Sequence, residues 1–474
     1  MFRRFAGKWS RKAGSREKPQ IAPISQTVRE DQTLDLSSGR RERSNACGTA
    51  TSTTSHPPKL RPNLRPKVRR GLPAFRSLVF LICVIRVICG FGRVRAAEDQ
   101  PPTLPIGAQA PDFCLPGIDG KTHCLKDYGS SQVLVLIFTC NHCPTAQLYE
   151  TRVKKLVDDY RNRGVAFVAI EPNNPNAVRL DELGYTDVSD SFEEMKVRAE
   201  FRHFNFPYLY DGDTQKVARA YGPSATPHLF ILDSERKLRY EGRVDNNPRE
   251  QFVTRRDARE ALDALLAGKP LAVSKTPAVG CSTKWMYKEQ ARLEAIAKLE
   301  SQPVKVKTAV AEDLKGLRKN PTGKMLLVDF WATWCQPCLQ EFPEFETMYR
   351  MYGHRPFDLV TVSVNYPDEK AGVLKALERQ HATTTNLLFG STDIYALMAA
   401  FDPDWNAAVP YTMLIGPKGE VLYKRQGPVD PLEVRRLIVA NLPDDDYVGH
   451  QAYWRQAVYG NSNQPEGTRS ESEK

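Results

Sequence analysis

Apolar residues fall along this chain in short continuous runs, each followed by a stretch with helical spacing, and the succession occurs twice. Pro111-Asp112-Phe113-Cys114-Leu115-Pro116, a Gly117-Ile118-Asp119-Gly120 turn and a return from Thr122 to Leu125 predict a β-hairpin. Val133–Phe138 is apolar throughout, the mark of a strand covered on both faces. A helix from about Ala146 to Asn162, strand Val165–Ile170, a helix around Phe192–Phe201, the segment Tyr208–Tyr210 and helix Gln215–Tyr221 continue the order. Strands Leu229–Leu232 and Leu238–Tyr240 and a helix near Arg255–Leu266 close it.

The second segment opens with helix Ala311–Leu317 and strand Met325–Phe330, then helix Leu339–Tyr352, strand Asp358–Val364 and helix Lys370–Gln380. Tyr395–Phe401, strands Thr412–Ile415 and Val421–Tyr423 and helix Leu432–Leu442 complete it. Alternating strands and helices ending in an antiparallel pair predict an α/β chain of two thioredoxin-like three-layer sandwiches in tandem. The domains are expected at 104–272 and 304–450. Between them, 273–303, with a Pro270–Pro277 stretch, the hexapeptide Gly280-Cys281-Ser282-Thr283-Lys284-Trp285 and a charged Lys288–Leu299 segment, reads as a linker, and 451–474 as a tail.

Charge separates a leader from this body. Of a formal net +11 over 474 residues, residues 1–70 hold 17 Lys/Arg against 5 Asp/Glu, so the remainder beyond the leader is net acidic. Nucleic-acid binding by the folded part is therefore not supported. Residues 1–71, rich in Arg, Ser, Thr and Pro without an apolar period, are expected to be disordered. From Ser77 to Phe91 the chain turns apolar, interrupted by Arg86, and ends in Val94-Arg95-Ala96-Ala97. About fifteen residues suit the apolar region of a signal peptide better than a spanning helix, which needs about twenty. Residues 72–97 thus predict either export, with cleavage near Ala96 or Ala97, or membrane anchorage through residues 77–92; both place the body outside the cytoplasm, in the periplasm or at the cell surface.

Ten cysteines narrow the chemistry. Cys47, Cys83 and Cys89 belong to the leader, leaving Cys114, Cys124, Cys140, Cys143, Cys281, Cys335 and Cys338. Cys335-Gln336-Pro337-Cys338 directly follows a buried-strand run, so Cys335 falls at a helix N-terminus, where unpaired N–H groups and the helix dipole favour a thiolate. That makes Cys335 the nucleophile and Cys338, one turn on, the resolving thiol. A zinc site would need a second cysteine or histidine pair, and none follows in this segment. Cys140-Asn141-His142-Cys143 follows Val133–Phe138 in the same way, with Cys140 read as nucleophile and Cys143 as resolving thiol. His142 has three open roles: stabilising a thiolate, ligating a metal with the two sulfurs, or facing solvent without one. Cys114 and Cys124 flank the hairpin turn and are candidates for a structural disulfide.

Val328-Asp329-Phe330-Trp331-Ala332-Thr333-Trp334-Cys335-Gln336-Pro337-Cys338 with Glu341-Phe342-Pro343 resembles the TlpA/ResA-type thioredoxins, over roughly residues 304–445. The resemblance implies that Asp329 is buried beneath the disulfide as proton acceptor for Cys338, against the alternative of a strand-end surface carboxylate. It also implies that Val409-Pro410 is a cis-proline loop pairing with substrate backbone. Glu341 either tunes the site or is a solvent-facing helix carboxylate. The first segment resembles a peroxiredoxin-like subgroup of the AhpC/TSA (redoxin) family, carried by Thr139-Cys140-Asn141-His142-Cys143-Pro144, Phe206-Pro207-Tyr208, Thr226-Pro227, Gly242-Arg243-Val244-Asp245 and Gly280–Trp285 over about residues 104–287. Thr226-Pro227 would be its cis-proline loop. Peroxiredoxins carry Thr or Ser three residues before the peroxidatic cysteine, and here Cys140 stands three before Cys143. Leu134, six before Cys140, is apolar where Asp329 precedes Cys335 by six, so a buried proton relay is missing.

Three functions follow as expectations. The first is an exported thiol–disulfide oxidoreductase on the reducing side, acting on disulfide-containing proteins and recharged by a thiol electron donor. The second is electron relay between two domains on a flexible linker, with antioxidant activity at the first. The third makes the first domain a metal-binding or redox-inactive binding module. No catalytic metal or organic cofactor is called for.

Overall fold

The computed structural model describes residues 100–444, 447 and 449–460. The leader, the apolar segment 77–92 and residues 461–474, which carry the expectations of disorder, export and anchorage, lie outside the described residues.

The hairpin forms from β1 (Cys114–Pro116) and β2 (Thr122–Cys124), with Cys114 opposite Cys124. β3 (Val133–Phe138) is buried along its whole length, which is why its sequence does not alternate. α1 (Pro144–Tyr160), β4 (Val165–Glu171), α2 (Phe192–Arg202), β5 (Tyr208–Tyr210), α3 (Lys216–Tyr221), β6 (Ala225–Thr226), β7 (His228–Leu232), β8 (Leu238–Gly242) and α4 (Asp257–Leu266) follow. The main sheet runs β5-β4-β3-β7-β8, parallel through β3 and antiparallel beyond it. Val133, Val135 and Ile137 pack under Tyr149, Val153 and Leu156 of α1 and Leu262 of α4. Leu134, Leu136 and Phe138 face the other layer, with Phe113, Tyr221 and Trp285.

Trp285 marks a correction to the expected linker. β9 (Cys281–Ser282) pairs antiparallel with β6, so the hexapeptide around Cys281 is part of the first domain. Only after it does α5 (Glu289–Glu300) lead onward. The second domain comprises β10 (Lys307–Ala309), α6 (Ala311–Lys319), β11 (Met325–Trp331), α7 (Gln336–Tyr352), β12 (Phe357–Ser363), α8 (Lys370–Arg379), β13 (Thr385–Phe389), α9 (Ile394–Phe401), β14 (Tyr411–Ile415), β15 (Val421–Gln426) and α10 (Pro431–Asn441). Its sheet runs β10-β13-β12-β11-β14-β15. Strands β10 and β13 are additions to the expected set, and polar residues hid β13: Asn386 sits within it, buried, bonding Thr361 and the Ala382 carbonyl.

Part of the expected tail folds as α11 (His450–Tyr459), whose Trp454 is fully buried. The two domains belong to one compact unit, not two bodies on a flexible linker. Val178 and Leu183 of the first domain join a core cluster with Phe345, Met351, Val434 and Trp454 of the second. Polar contacts reinforce it: Tyr352 Oη donates to the Thr186 carbonyl at 2.7 Å and Arg436 Nε to Asp187 at 2.9 Å.

Candidate active sites

In the second domain β11 delivers the chain to α7 at Cys335, the N-cap residue, whose sulfur accepts from the Cys338 amide at 3.3 Å. Pro337 in the first turn removes a donor the helix leaves unpaired anyway. Cys335 and Cys338 are joined as a disulfide, with Cα atoms 5.3 Å apart. Trp334, just before them, is 65% exposed, while Val409-Pro410 is a cis peptide immediately before β14.

Asp329 lies on β11 between Leu327 and Trp331 and is completely buried. Thr412 Oγ1 donates to its Oδ1 at 3.3 Å, and Oδ2 has no partner among the described residues. Burial, with the charge of Glu341 adding to it, pushes the carboxyl well above the usual range. The surface-carboxylate alternative falls. Glu341 is also buried rather than solvent-facing: the Val429 amide donates to Oε2 at 3.2 Å, and burial raises its carboxyl to about 7.

In the first domain the sheet register fixes the correspondence between the two sites. Phe138 pairs with His228, the residue after the cis peptide Thr226-Pro227; Phe330 pairs with Tyr411, the residue after cis Pro410. Five residues beyond these phenylalanines stand Cys143 and Cys335. Cys143, with Pro144 next, is the N-cap of α1, and the Ala146 amide points at its sulfur at 3.5 Å. The helix-terminal thiol expected at Cys140 is therefore Cys143; Cys140 stands where the second domain has Ala332, and Ala146 where it has Cys338. By the same register the counterpart of Asp329 is Ile137, not Leu134.

Cys140 and Cys143 are free thiols, both buried. Cys140 Sγ lies 3.1 Å from Thr226 Oγ1, and the Cys281 amide donates to Cys143 Sγ at 3.2 Å. Burial opposes charge on Cys143, but donor bonds from Cys140 and Cys281, His142 and the Ala146 amide outweigh it and hold its pKa well below the ordinary thiol value. Burial and its bond to Cys143 push Cys140 up, and the bond to Cys143 followed by burial does the same to Cys281. A narrow pocket of about 20 Å³ borders Cys140 between Ile137, Phe206, Tyr208 and Pro227, room for about one water-sized guest.

His142 is buried, which removes the solvent-facing reading. Its Nδ1 is 2.5 Å from Asp190 Oδ2, while Nε2 has no partner among the described residues. Asp190 also accepts from the Asn141 and His142 amides at 3.0 Å each and from Asn173 Nδ2 at 2.9 Å, so it fixes both the motif loop and the imidazole. Burial penalises the His142 cation, yet the Asp190 charge and hydrogen bond win and raise its pKa. Ligand atoms of Cys140, His142 and Asp190 fall within 4.8 Å of one another, so the set a metal would meet holds Asp190 in place of the expected Cys143. Tyr208 Oη donates to Glu171 at 3.0 Å, and burial with the Asp190 charge drives the Glu171 carboxyl well up.

Cys114 and Cys124 are bonded as a disulfide across the hairpin. The second domain's C-terminus reaches the first site through Gln147 of α1: its Nε2 donates to the Asn141 carbonyl at 2.8 Å, and its Oε1 lies 2.8 Å from His450 Nε2 and 3.2 Å from Trp454 Nε1.

Comparison with known proteins agrees with this doubled arrangement. The profile of the AhpC/TSA family matches residues 106–241 and again 297–424, together more than half of the chain. The chain belongs to the AhpC/TSA family. Among curated relatives of this AhpC/TSA chain, the thioredoxin-like protein YneN of Bacillus subtilis is 31% identical over 108 residues, covering 23% of this chain and 59% of that protein. Thiol-disulfide oxidoreductase ResA of B. subtilis is 31% identical over 116 residues, 24% of this chain and 60% of that protein. Thiol:disulfide interchange protein DsbE of Allochromatium vinosum is 30% identical over 115 residues, 23% of this chain and 54% of that protein. The chain thus spans a little over half the length of these relatives. A solved structure of an uncharacterized conserved protein from Geobacillus kaustophilus is 40% identical, covering 38% of this chain and 92% of that one, with a TM-score of 0.35.

Several residues of this family member escaped the sequence reading. Asp190, Glu171 and Asn173 come from the ends of β4 and the long loop after it, where no spacing ties them to the cysteine motif. The hexapeptide around Cys281 was visible, but nothing in its order indicated a strand against the cis-proline loop.

Proposed function

We propose that the protein is a thiol–disulfide oxidoreductase, with Cys335 and Cys338 exchanging disulfides with protein substrates on the reducing side and outside the cytoplasm. The observation that carries this reading is a disulfide at a helix N-terminus with a buried Asp329 of raised pKa on the strand that leads to it, paired through Phe330 with Tyr411, the residue after Pro410. In the reduced protein the Cys335 thiolate attacks a substrate sulfur and expels one substrate thiolate. Cys338, giving its proton to the ionised Asp329 carboxylate, whose raised pKa suits it to take a proton from a thiol, attacks Cys335 and releases the second. Val409 and Pro410 would bind the substrate backbone. A thiol donor restores the dithiol. The Cys114–Cys124 disulfide and the apolar segment before Ala97 support an oxidising, extracytoplasmic setting, with membrane anchorage through residues 77–92 as the alternative to release.

The test is insulin reduction by the full chain with dithiothreitol as donor, together with the potential of the Cys335/Cys338 couple in glutathione buffers. Loss of activity in Cys335→Ser and a potential more negative than about −200 mV are expected for a reductant outside the cytosol. Full activity in Cys335→Ser would refute the assignment.

A second reading concerns the first domain. Cys143, a helix-capping thiol with a depressed pKa, close to Ala146 and to Cys140, which line a pocket for a very small guest, fits attack on a hydroperoxide. The peroxidase reading places the nucleophile at Cys143 and Thr226 beside Cys140.

A further inference from the structure

A thioredoxin-like fold leaves the backbone just before its cis-proline as an open strand edge, and an extended peptide gains affinity by adding itself there. In the second domain that edge is free: among the described residues Val409 makes no backbone hydrogen bond. In the first domain the chain's own segment takes the place. Ala225 and Thr226 pair antiparallel with Ser282 and Cys281. Gly280, at φ +159°, lies so close that a Cβ would stand 1.8 Å from the Thr226 carbonyl oxygen, so no other residue type permits the approach. The pairing sets the Cys281 amide 3.2 Å from Cys143 Sγ, and the Cys281 side chain packs against Cys140, Cys143 and Ala146.

We propose that residues 280–283 are a built-in substrate strand and that Cys281 is the disulfide partner of Cys143. The position a substrate cysteine would take opposite the helix-capping thiol is filled by one from the same chain, and an external polypeptide would have to displace β9 to reach Cys143. Redox chemistry at this site is then confined to a small oxidant and an internal disulfide. This rests on the reading of Cys143 as the nucleophile, with a hydroperoxide as oxidant. The Cys143 thiolate attacks the terminal peroxide oxygen, the O–O bond breaks, and the leaving oxygen takes up a proton as water or an alcohol; Cys143 becomes a sulfenic acid, oxidised by two electrons. Cys281 then attacks the Cys143 sulfur, the S–O bond breaks, and hydroxide leaves with the Cys281 proton as water. A thiol donor returns the two electrons by exchange. Cys140, held against Thr226 Oγ1, is the thiol left over.

The experiment treats the reduced full chain with one equivalent of hydrogen peroxide or, separately, with oxidised glutathione, alkylates remaining thiols and maps disulfide-linked peptides by mass. A Cys143–Cys281 link is expected with peroxide; Cys140→Ser, whose hydroxyl can still donate to Cys143, should form the same link at a reduced rate, and Cys281→Ser should stop at a dimedone-reactive Cys143. A link that forms with glutathione but not with peroxide upholds Cys281 as partner and overturns the peroxide reading alone. A Cys140–Cys143 link with Cys281 alkylated, or no link to Cys281 under either oxidant, overturns the proposal.

Discussion

Phe138 and Phe330 occupy the same point of two sheets, each paired with the residue after a cis-proline, and five residues later each chain reaches a cysteine that caps a helix. Around that shared thiol the two sites are built from opposite sides. In the second domain the partner Cys338 lies one turn along the helix, and the strand below supplies a buried acid. In the first, Ala146 and Ile137 fill those two positions, and further thiols approach from before the helix, at Cys140, and from across the cis-proline loop, at Cys281. Two C-x-x-C motifs of the same spacing are thus displaced by three residues against the fold. The spacing alone does not identify the nucleophile; the helix N-terminus does, because it is the place that stabilises sulfur as an anion.

The largest effect that could break this comparison is at the capping thiols. Cys143→Ser should abolish oxidation of the first domain, whereas Cys140→Ser should leave most of it. With Cys335 and Cys338 held as a disulfide, absorbance at 240 nm should report a thiolate already present below the ordinary thiol pKa, and Cys143→Ser should remove that signal. If Cys140→Ser removes it instead, the nucleophile is Cys140 and the register argument fails.

Next in size is Asp329→Asn. A proton acceptor positioned for one step contributes on the order of 10²-fold or more in rate, so insulin reduction should fall by about that factor. Because burial already disfavours the charged form of this carboxyl, the isosteric amide should not lower the melting temperature. A variant with wild-type turnover would remove Asp329 from the mechanism and leave the two sites closer in kind.

Much of this was legible in the sequence, for identifiable reasons. Continuous apolar runs such as Val133–Phe138 and Met325–Trp331 give away central strands because both faces are covered. Asp329 stood out as an acid inside such a run. The register between the first motif and its helix was not legible: Phe138-Thr139-Cys140 offers no sign that the helix waits for Pro144, and counting from the wrong cysteine also misplaced the counterpart of Asp329. Asp190 and Glu171 were hidden because their role depends on a loop folding back over the motif. α11 was hidden because its apolar residues, Trp454 and Tyr453 among them, cover surface of the other domain.

That interface allows a test of intermediate size. Trp454 is fully buried, with its indole N–H near Gln147 Oε1 and the Tyr185 carbonyl. Trp454→Ala should destabilise the chain by about 3–5 kcal/mol, the usual cost of removing a large core aromatic. Urea unfolding followed by fluorescence should separate into two transitions as the domains lose their shared core. A single transition at the wild-type midpoint would mean that α11 contributes little to joining them.

The smallest expected effect is a pH dependence peculiar to the second site. Burial raises Glu341 to about 7 in the folded protein, against about 4.3 for the free side chain. The folded state therefore binds the extra proton between these values, so the stability tied to this group is full below about 4.3 and is lost as pH rises through about 7. The same ionisation adds a negative charge that raises the Asp329 pKa further, leaving less of its carboxylate free to accept the Cys338 proton as Glu341 ionises. Glu341→Gln should flatten both limbs: melting temperature should fall less between pH 5 and 8, and the alkaline decline of insulin reduction should move by less than the effect of Asp329→Asn. The first domain, with Ile137 at the acid's position and its carboxylates tied to the Asn141–His142 loop, should show neither change in that variant. An unaltered pH–rate profile in Glu341→Gln would mean that Asp329 responds to burial alone, and the acid pair would no longer separate the two sites.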